Sequence, residues 1–171
     1  MAVEFKGEEF LYLIEIPAEG ENPLELVRLW NQTSGSRTIE AASVDLATKD
    51  KSGSDYGTVT ESVSVEGIRT EGDRAYEYIE ESIRDKRLVK IHRLNKRDLS
   101  TESGYYMLSN LEDSSSVDEY ATYSVEATLN GKIKKDTVTE IPEGAPDEGQ
   151  VTPEQPQGIG AAVIGESLKI G

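Results

Sequence analysis

The sequence predicts a mainly β protein: two packed antiparallel sheets, arranged as a sandwich or flattened barrel, with one short flanking α-helix. Residues 58–66 and 120–129 alternate apolar and polar side chains with a period of two, which is typical of half-buried strands. Residues 72–85 carry an amphipathic helix pattern. At 171 residues the chain is long enough for one domain with one core.

The N-terminal part predicts an arm and two strands. Residues 1–9 show no pattern and are expected to form a flexible arm. In residues 10–16 alternate positions are apolar, and Pro17 ends the strand or marks it as an edge. Residues 24–30 are apolar in both phases, which indicates a strand buried on both sides, with a short helix as the alternative.

A polar segment separates the next two predicted strands. The apolar phase of residues 38–46 changes near Ala41, where a bulge or bend would twist the strand away from its sheet. Residues 47–57 contain no large apolar side chain except a tyrosine, so they cannot supply a core. They are predicted to form a loop that projects into solvent or onto a partner, and the strand at 58–66 follows.

The predicted helix has a start signal and two distinct faces. Thr70 and Asp73 stand three positions apart, where the hydroxyl can accept from an unpaired amide of a helix start and the carboxylate favours the positive end of the helix. An apolar stripe is expected to cover the open side of a sheet: Ala75, Tyr76, Ile79 and Ile83. The outward face is charged: Arg74, Glu77, Glu80, Glu81 and Arg84. Residues 88–94 then return as a strand.

Turns and strands alternate in the following part of the chain. Residues 95–98 and 100–104 are rich in turn formers, residues 105–111 predict a strand, and residues 113–116 predict a loop. The strand at 120–129 leads directly into Asn130-Gly131, the dipeptide preferred in two-residue hairpin turns. A hairpin that returns through Ile133, Val138 and Ile141 is therefore expected.

A change in composition divides the chain into residues 1–142, the β domain, and residues 143–171, a C-terminal extension. The extension is rich in Pro, Gly, Glu and Gln, and such a segment buries too little apolar surface to order itself. Only its last residues, 159–170, regain apolar side chains. We expect a flexible or partner-dependent arm, with an integral strand as the alternative.

Composition excludes several functional classes. The 33 acidic and 18 basic residues give a net charge of −15, which disfavours a nucleic-acid-binding surface that grips phosphates. The absence of cysteine excludes disulfides and thiolate sites. The first residues lack a signal-peptide pattern and the longest apolar run is too short to span a bilayer, so neither secretion by that route nor membrane insertion is expected.

No residue set favours catalysis, a metal or a cofactor. The one histidine, His92, lies among apolar and basic residues, which favours a structural role. Asp45, Asp50 and Asp55 lack the spacing of a calcium loop, and Gly53 and Gly57 lack the Lys-Ser/Thr pair of a phosphate-binding loop. The chain is therefore predicted not to be an enzyme.

A series of short segments within residues 32–94 is specific in order and spacing: Ser36-Arg37-Thr38-Ile39-Glu40, Lys49-Asp50-Lys51-Ser52-Gly53, Thr60-Glu61-Ser62-Val63-Ser64-Val65-Glu66-Gly67, and Gly72-Asp73 before a short helix. In this series the chain resembles the major tail protein, or tail tube protein, family of bacteriophages with long non-contractile tails, the siphophages. The resemblance covers residues 5–142 and does not extend to the remainder.

The resemblance implies a structural virion protein that assembles in the host cytoplasm. Its copies would form rings, in the family hexamers, and the stacked rings would form the tube that conducts DNA during ejection. The implied partners are further copies of the chain, the tape-measure, tail-tip and tail-terminator proteins, and double-stranded DNA that passes through without specific binding. An extracellular β-sandwich that binds a ligand is the alternative.

Two groups of contact residues are predicted on this basis. The projecting loop is expected to contact the next ring through Lys49, Asp50, Lys51, Ser52, Gly53, Ser54 and Asp55. The charged helix face is expected to contact a neighbouring subunit through Arg74, Glu77, Glu81 and Arg84. Regular strands with polar outer faces are also suited to pair edge to edge between copies, because a closed ring leaves no exposed strand edge.

Overall fold

The computed structural model describes residues 3–146, which hold eight strands, one α-helix and a 3₁₀ turn at Gly7–Glu9. The prediction for the C-terminal extension lies outside the described residues from 147 onward. The elements are β1 (Phe10–Ile16), β2 (Glu25–Arg28), β3 (Gln32–Ala47), β4 (Ser52–Ile68), α1 (Arg74–Arg84), β5 (Val89–Asn95), β6 (Ser100–Ser114), β7 (Thr122–Leu129) and β8 (Lys134–Thr137).

The strands form one antiparallel sheet in the order β2-β1-β5-β6-β7-β4-β3, and β8 also pairs with β6. The mainly β, antiparallel fold with one helix is confirmed, but the prediction of two separate sheets is wrong. The physical reason is the length of β6. Its first part pairs with β5 as far as Tyr106, and its second part pairs with β7 from Tyr106 to Ser114, so one strand joins both halves.

The sheet curves so that its distant strands approach one another. The Gln32 side chain at the start of β3 accepts from the Tyr12 backbone N–H at 3.1 Å and donates to the Tyr12 carbonyl at 2.8 Å. Gly35 lies so close to the Tyr12 ring that a Cβ would stand 2.5 Å from a ring carbon. Side-chain contacts therefore close the curve between β1 and β3, where no backbone pairing joins them.

The core lies inside this curve and α1 covers it. Asp73 is the N-cap of α1: its carboxylate accepts from the Ala75 and Tyr76 amides and, at 3.0 Å, from the Trp30 amide. Burial raises the pKa of Asp73, while these three donors oppose that rise. The predicted apolar stripe and the role of Asp73 at the helix start are confirmed, but the Thr70 hydroxyl does not cap the helix: it donates to the Ile68 carbonyl and accepts from the Asn31 side chain. The buried core consists of Tyr12, Ile14, Leu29, Val63, Val65, Ala75, Tyr76, Ile79, Val89, Ile91, Tyr106, Leu108, Tyr123, Val125 and Ala127.

The opposite face of β1 and β5 is also buried near its centre, at Leu13 and His92. Val138 donates its N–H to the Leu99 carbonyl at 2.9 Å, and Gly144 lies against the guanidinium of Arg28, the residue paired with Leu13. The segment after β8 therefore runs across this face towards the edge strand β2.

The predicted loop at 47–57 is mostly strand. Only residues 48–51 connect β3 to β4, and β4 already begins at Ser52, because β3 continues to Ala47 and supplies backbone partners for this polar segment. Sequence periodicity missed the strand because neither of its faces is buried in this chain. The predicted bulge near Ala41 is confirmed by a register shift between Ala41 and Ser43.

Three local predictions in other parts of the sheet are wrong. Residues 100–104 belong to β6 rather than to a turn, because they pair with β5 on one side and β8 on the other. Asn130-Gly131 is not a hairpin turn, since the chain bulges there and β8 continues along β6. In residues 24–30 the strand is the short edge strand β2, with half-buried side chains.

Gly67 is a site where the fold depends on the absence of a side chain. A Cβ there would stand 2.4 Å from the Tyr123 hydroxyl and 2.6 Å from the Asn31 carbonyl oxygen. We expect Gly67→Ala to lower the free energy of unfolding by about 2 kcal/mol, because a backbone group must shift. Gly53→Ala is the matched control, since nothing lies within 4 Å of its Cβ. Equal melting temperatures for the two variants would contradict this packing.

Stability is expected to decrease on acidification through His92. Burial lowers the pKa of His92, and the charge of Lys90 lowers it further. The Glu15 carboxylate, 3.2 Å from Nε2, and the Asp136 carboxylate oppose this. Because the pKa in the folded state lies below the unfolded value of about 6.5, stabilisation is complete above that pH and declines below it. His92→Gln should therefore show a smaller fall in melting temperature between pH 7 and 5. Identical falls would contradict the assignment.

Candidate assembly surfaces

The most prominent feature is the hairpin of β3 and β4, which extends beyond the rest of the sheet. Pairing between β4 and β7 ends at Ser62, whereas β3 and β4 continue to pair as far as Ala47 and Ser52. The free part measures about 30 Å at 3.3 Å per residue. Every residue of β3 after Gln32 is exposed. The free part of the hairpin therefore contributes nothing to the core of its own subunit.

An ion cluster fixes the base of this hairpin. Arg37 in β3 forms an ion pair with Glu102 in β6 and lies 3.8 Å from Glu61 in β4. Arg93 in β5 approaches the same Glu102 carboxylate at 3.8 Å. Burial raises the pKa of the nearby Tyr106 to about 12, so the cluster stands at the border of the dry interior. The direction in which the hairpin leaves the sheet is set here.

Apolar side chains lie on both faces of the free hairpin. Ile39 and Val59 are more than half exposed and continue the core face of β3 and β4 outward. At the bulge the apolar residues change to the other face of the hairpin. On that face Ala42 and Val44 lie beside Gly57, since an added Cβ there would stand 3.2 Å from an atom of each. Leu46 follows Val44 on that face and is also about half exposed. Uncovered aliphatic side chains in such a row are typical of an interface.

The predicted loop residues lie together at the hairpin tip. Lys49, Asp50 and Lys51 belong to the turn, and the Thr48 hydroxyl accepts from the Asp50 and Lys51 amides. Residues 52–55 form the first part of β4. Within the described part of the chain, neither lysine forms an ion pair. The tip therefore presents free charges.

A second surface, which we call the polar face, covers the side of β3, β4, β7 and the end of β6 that lies opposite the core. Most of its side chains are hydroxyls, carboxylates or amides, Met107 is an exposed apolar exception, and Ser36, Ser64 and Glu126 line one shallow hollow on it. Sequence periodicity predicted the polar sides of β4 and β7 but not their union. The polar face includes Ser34, Ser36, Thr38, Glu40, Thr60, Ser62, Ser64, Glu66, Met107, Asn110, Glu112, Ser114, Ser124, Glu126 and Thr128.

The polar face has one charge sign. It holds four glutamates, Glu40, Glu66, Glu112 and Glu126, and neither lysine nor arginine. Arg37 of β3 and Arg93 of β5 bind glutamates at the edge of the core instead. The sheet thus combines an apolar face under α1 with an acidic face that repels phosphate.

The four strands that carry the polar face end in two free edges. Along its outer side β3 has no strand partner among residues 3–146, and β6 beyond Tyr106 has none on the side that β5 occupies earlier. Unpaired N–H and C=O groups in rows of this length are templates for a further strand. The sheet can therefore extend in both directions.

The predicted helix-face residues are all exposed, and three of the four have ion-pair partners in their own chain. Arg74 pairs with Glu25 of β2 at 2.6 Å, Arg84 pairs with Glu80 at 2.8 Å, and Glu81 lies 3.9 Å from Arg87. Glu77, in the first turn, completes the predicted set. The helix lies on the core side of the sheet, opposite the polar face. These residues can contact only what lies behind the sheet.

The chemistry of the described residues offers no alternative site. His92 on β5 and Glu15 on β1 come within 3.2 Å, and the neighbouring hydroxyl, Ser103 of β6, is buried and donates to the Lys134 carbonyl. In residues 3–146 no three carboxylate or imidazole side chains group together as metal ligands. No helix in that range has the length and apolar character needed to cross a membrane.

Residues 4–135 match the family model described as phage tail tube protein. The chain therefore belongs to the phage tail tube protein family. The predicted family is confirmed, and with it a structural, non-enzymatic role as a component of the phage virion. Membership also replaces the alternative of an extracellular ligand-binding module. No curated protein matches the chain in sequence.

Solved structures with the same fold are tube or virion components. A chain in the virion of a native gene transfer agent particle shares 13% identity, with 78% of this chain and 100% of that chain covered at a TM-score of 0.65. The SPP1 tail tube shares 16% identity over 80% and 81% at 0.67. The tail of an empty gene transfer agent particle, refined with C6 symmetry, shares 15% over 77% and 98% at 0.62. At these identities the likeness shows the fold.

The hairpin can be shortened to test whether it is independent of the core. Replacing residues 43–56 by Asn-Gly removes equal lengths of both strands, because Ser43 pairs with Tyr56. We expect the melting temperature to change by less than about 2 °C, since the removed side chains are exposed and pack on nothing buried. Circular dichroism and a thermal melt provide the measurement. Loss of the folded spectrum would show that the hairpin stabilises its own subunit.

Proposed function

We propose that copies of this chain join through their free sheet edges into rings, and that the stacked rings form the tail tube. The observation that carries the proposal is the pair of unpaired edges, β3 and the end of β6, at opposite sides of one four-stranded unit. Backbone pairing between β3 of one copy and β6 of the next would satisfy both rows of hydrogen-bonding groups. Closure of the ring would then remove every edge of this kind.

Strand direction supports this joint. The unit β6-β7-β4-β3 is antiparallel throughout and has an even number of strands, so β3 and β6 run in opposite directions. Copies related by rotation about a ring axis keep the same orientation along it. Therefore β3 of one copy meets β6 of its neighbour antiparallel, and the alternation continues around the ring.

Six copies per ring are proposed, in agreement with the resemblance to siphophage tail proteins. Four strands from each copy would then give a barrel of about 24 strands, with a backbone diameter of roughly 35 to 50 Å for ordinary strand spacing and tilt. Such a bore admits a DNA duplex. A much smaller ring would be too narrow for this role.

The polar face is proposed to line the bore. It is the only broad face of the four-stranded unit that carries neither the core nor α1 among the described residues. Its glutamates repel phosphates and its hydroxyls form weak, exchangeable hydrogen bonds, so DNA can slide without being held. Lysines at the same positions would bind phosphates and slow the passage of the genome. DNA ejection through this bore follows as the function of the tube.

Stacking is proposed to use the hairpin, with the tip residues 49–55 in contact with the next ring. In the assembly the uncovered side chains of Ile39, Val44 and Leu46 would become buried, and roughly 25 cal/mol per Å² of that apolar surface would stabilise the stack. The helix-face residues, behind the sheet, would contact the neighbouring subunit or the tube exterior. The tape-measure, tail-tip and terminator proteins are the proposed partners along and at the ends of the tube.

The variant without residues 43–56 also tests stacking. Wild-type protein at high concentration is expected to form hollow tubes in negative-stain micrographs, whereas the shortened variant should give no tubes because its stacking surface is missing. Sedimentation measures the fraction of protein that has polymerised. Only discrete globular particles from the wild type, under all salt and protein concentrations, would contradict the proposed function.

The absence of cysteine allows the bore to be mapped with single substitutions. Ser64→Cys places a thiol in the middle of the polar face. We expect a small maleimide to label it in both monomer and tube, and a maleimide carried on a large polymer to label the monomer alone, because the polymer cannot enter the bore. Equal labelling of intact tubes by the polymer reagent would place this face outside.

A further inference from the structure

We propose that the β6–β7 loop, residues 115–121, is the surface that receives the hairpin tip of a second copy in the adjacent ring. This inference rests on the proposed function, which requires stacking but does not say what the tip contacts. It assigns the receiving residues as Val117, Asp118, Glu119 and Tyr120.

The two surfaces lie at opposite ends of the same strand. β4 begins at the tip with Ser52 and ends at Ile68, which pairs with Thr122 directly after the β6–β7 loop. Over 17 residues this separation is about 55 Å. A contact between opposite ends of one molecule is heterologous, so it repeats from copy to copy and builds an open filament along the strand direction.

The loop presents apolar groups that its own subunit does not cover. Val117 is 89% exposed and Tyr120 is 80% exposed, although their neighbours are serines and acids. At the other end, Val44 and Leu46 are similarly uncovered. Contact between the loop side chains and Val44 and Leu46 of the next copy would remove both apolar patches from water.

The charges at the two ends are complementary. Lys49 and Lys51 at the tip form no ion pair within residues 3–146, and the same holds for Asp118 and Glu119 in the loop. Lys49 and Lys51 flank Asp50 at the turn, which therefore carries a local excess of positive charge in a chain with a net charge of −15. Placed on Asp118 and Glu119 of another copy, these lysines gain partners and select the loop over the acidic polar face.

The loop is held in a fixed shape suited to docking. Glu119 donates its N–H to the Ser116 carbonyl, and Asp118 adopts a left-handed backbone with φ 71°. At the base of the loop, Arg69 donates its N–H to the Ala121 carbonyl at 2.8 Å, and its side chain lies 3.6 Å from Asp113. Little ordering is therefore required on binding.

A charge reversal with internal rescue tests the contact. In full-length protein at low salt, Lys49→Glu with Lys51→Glu should raise the critical concentration for tube formation at least tenfold, and so should Asp118→Lys with Glu119→Lys. All four changes in one chain restore opposite charges and should return the critical concentration to within about threefold of wild type. Pelleting and micrographs measure this, and circular dichroism checks that each variant is folded.

A matched control separates pairing from net charge. Lys132→Glu with Lys135→Glu alters two exposed lysines that also lack ion pairs in the described structure. Combined with Asp118→Lys and Glu119→Lys, these changes give the net charge of the rescued chain but should not restore tubes. Rescue by this control, no rescue by the four-residue swap, or unchanged assembly of both reversed variants would overturn the inference while wild-type tubes leave the proposed function intact. Absence of wild-type tubes would overturn both.

Discussion

The structure depends on one unmet requirement of the backbone: β3 is a long strand with a partner on one side only. Isolated two-stranded hairpins are marginally stable in water, and exposed strand edges lead to association unless they are protected. Among residues 3–146 neither a covering element nor an edge proline protects β3, and its far half carries aliphatic side chains on both faces. The subunit tolerates this because Arg37 and Gln32 fix the base of the hairpin to the sheet. In the proposed assembly, further copies supply the partners of the remaining half.

The same constraint explains the division of the sheet into faces. The core and α1 occupy one side, so stability of the subunit does not depend on the polar face or the hairpin. The polar face can be acidic because its side chains are not buried in the core and need not be apolar. The proposed assembly, in turn, uses backbone edges and the free part of the hairpin, which carries no buried side chain. In this proposal separate surfaces serve folding, joining and passage of DNA.

The sequence predicted much of this arrangement where side chains report burial. Alternation in β4 and β7 and the apolar stripe of α1 are visible because one face packs and the other does not. The bulge at Ala41 is visible as a change of apolar phase, and Asp73 as a residue type preferred at helix starts. Order and spacing of short segments also led to the correct family.

Prediction was wrong where pairing is set by the backbone rather than by side-chain pattern. Residues 52–57 have polar side chains that fit a loop, yet β3 offers them a ladder of hydrogen bonds. Asn130-Gly131 fits a hairpin turn, yet the following residues pair as β8 with the first part of β6, on the side opposite β5. The sequence pattern does not show which strands are neighbours. It therefore could not predict that β6 joins the two halves of the sheet, or how far the polar face extends.

The most direct measurement is a helical cryo-electron microscopy reconstruction of assembled tubes at a resolution that separates strands. The account predicts continuous backbone density between β3 of one copy and the end of β6 of its neighbour, with Glu66 and Glu126 directed into the bore. A reconstruction in which β3 remains unpaired, or in which these glutamates lie on the outer wall, would contradict it.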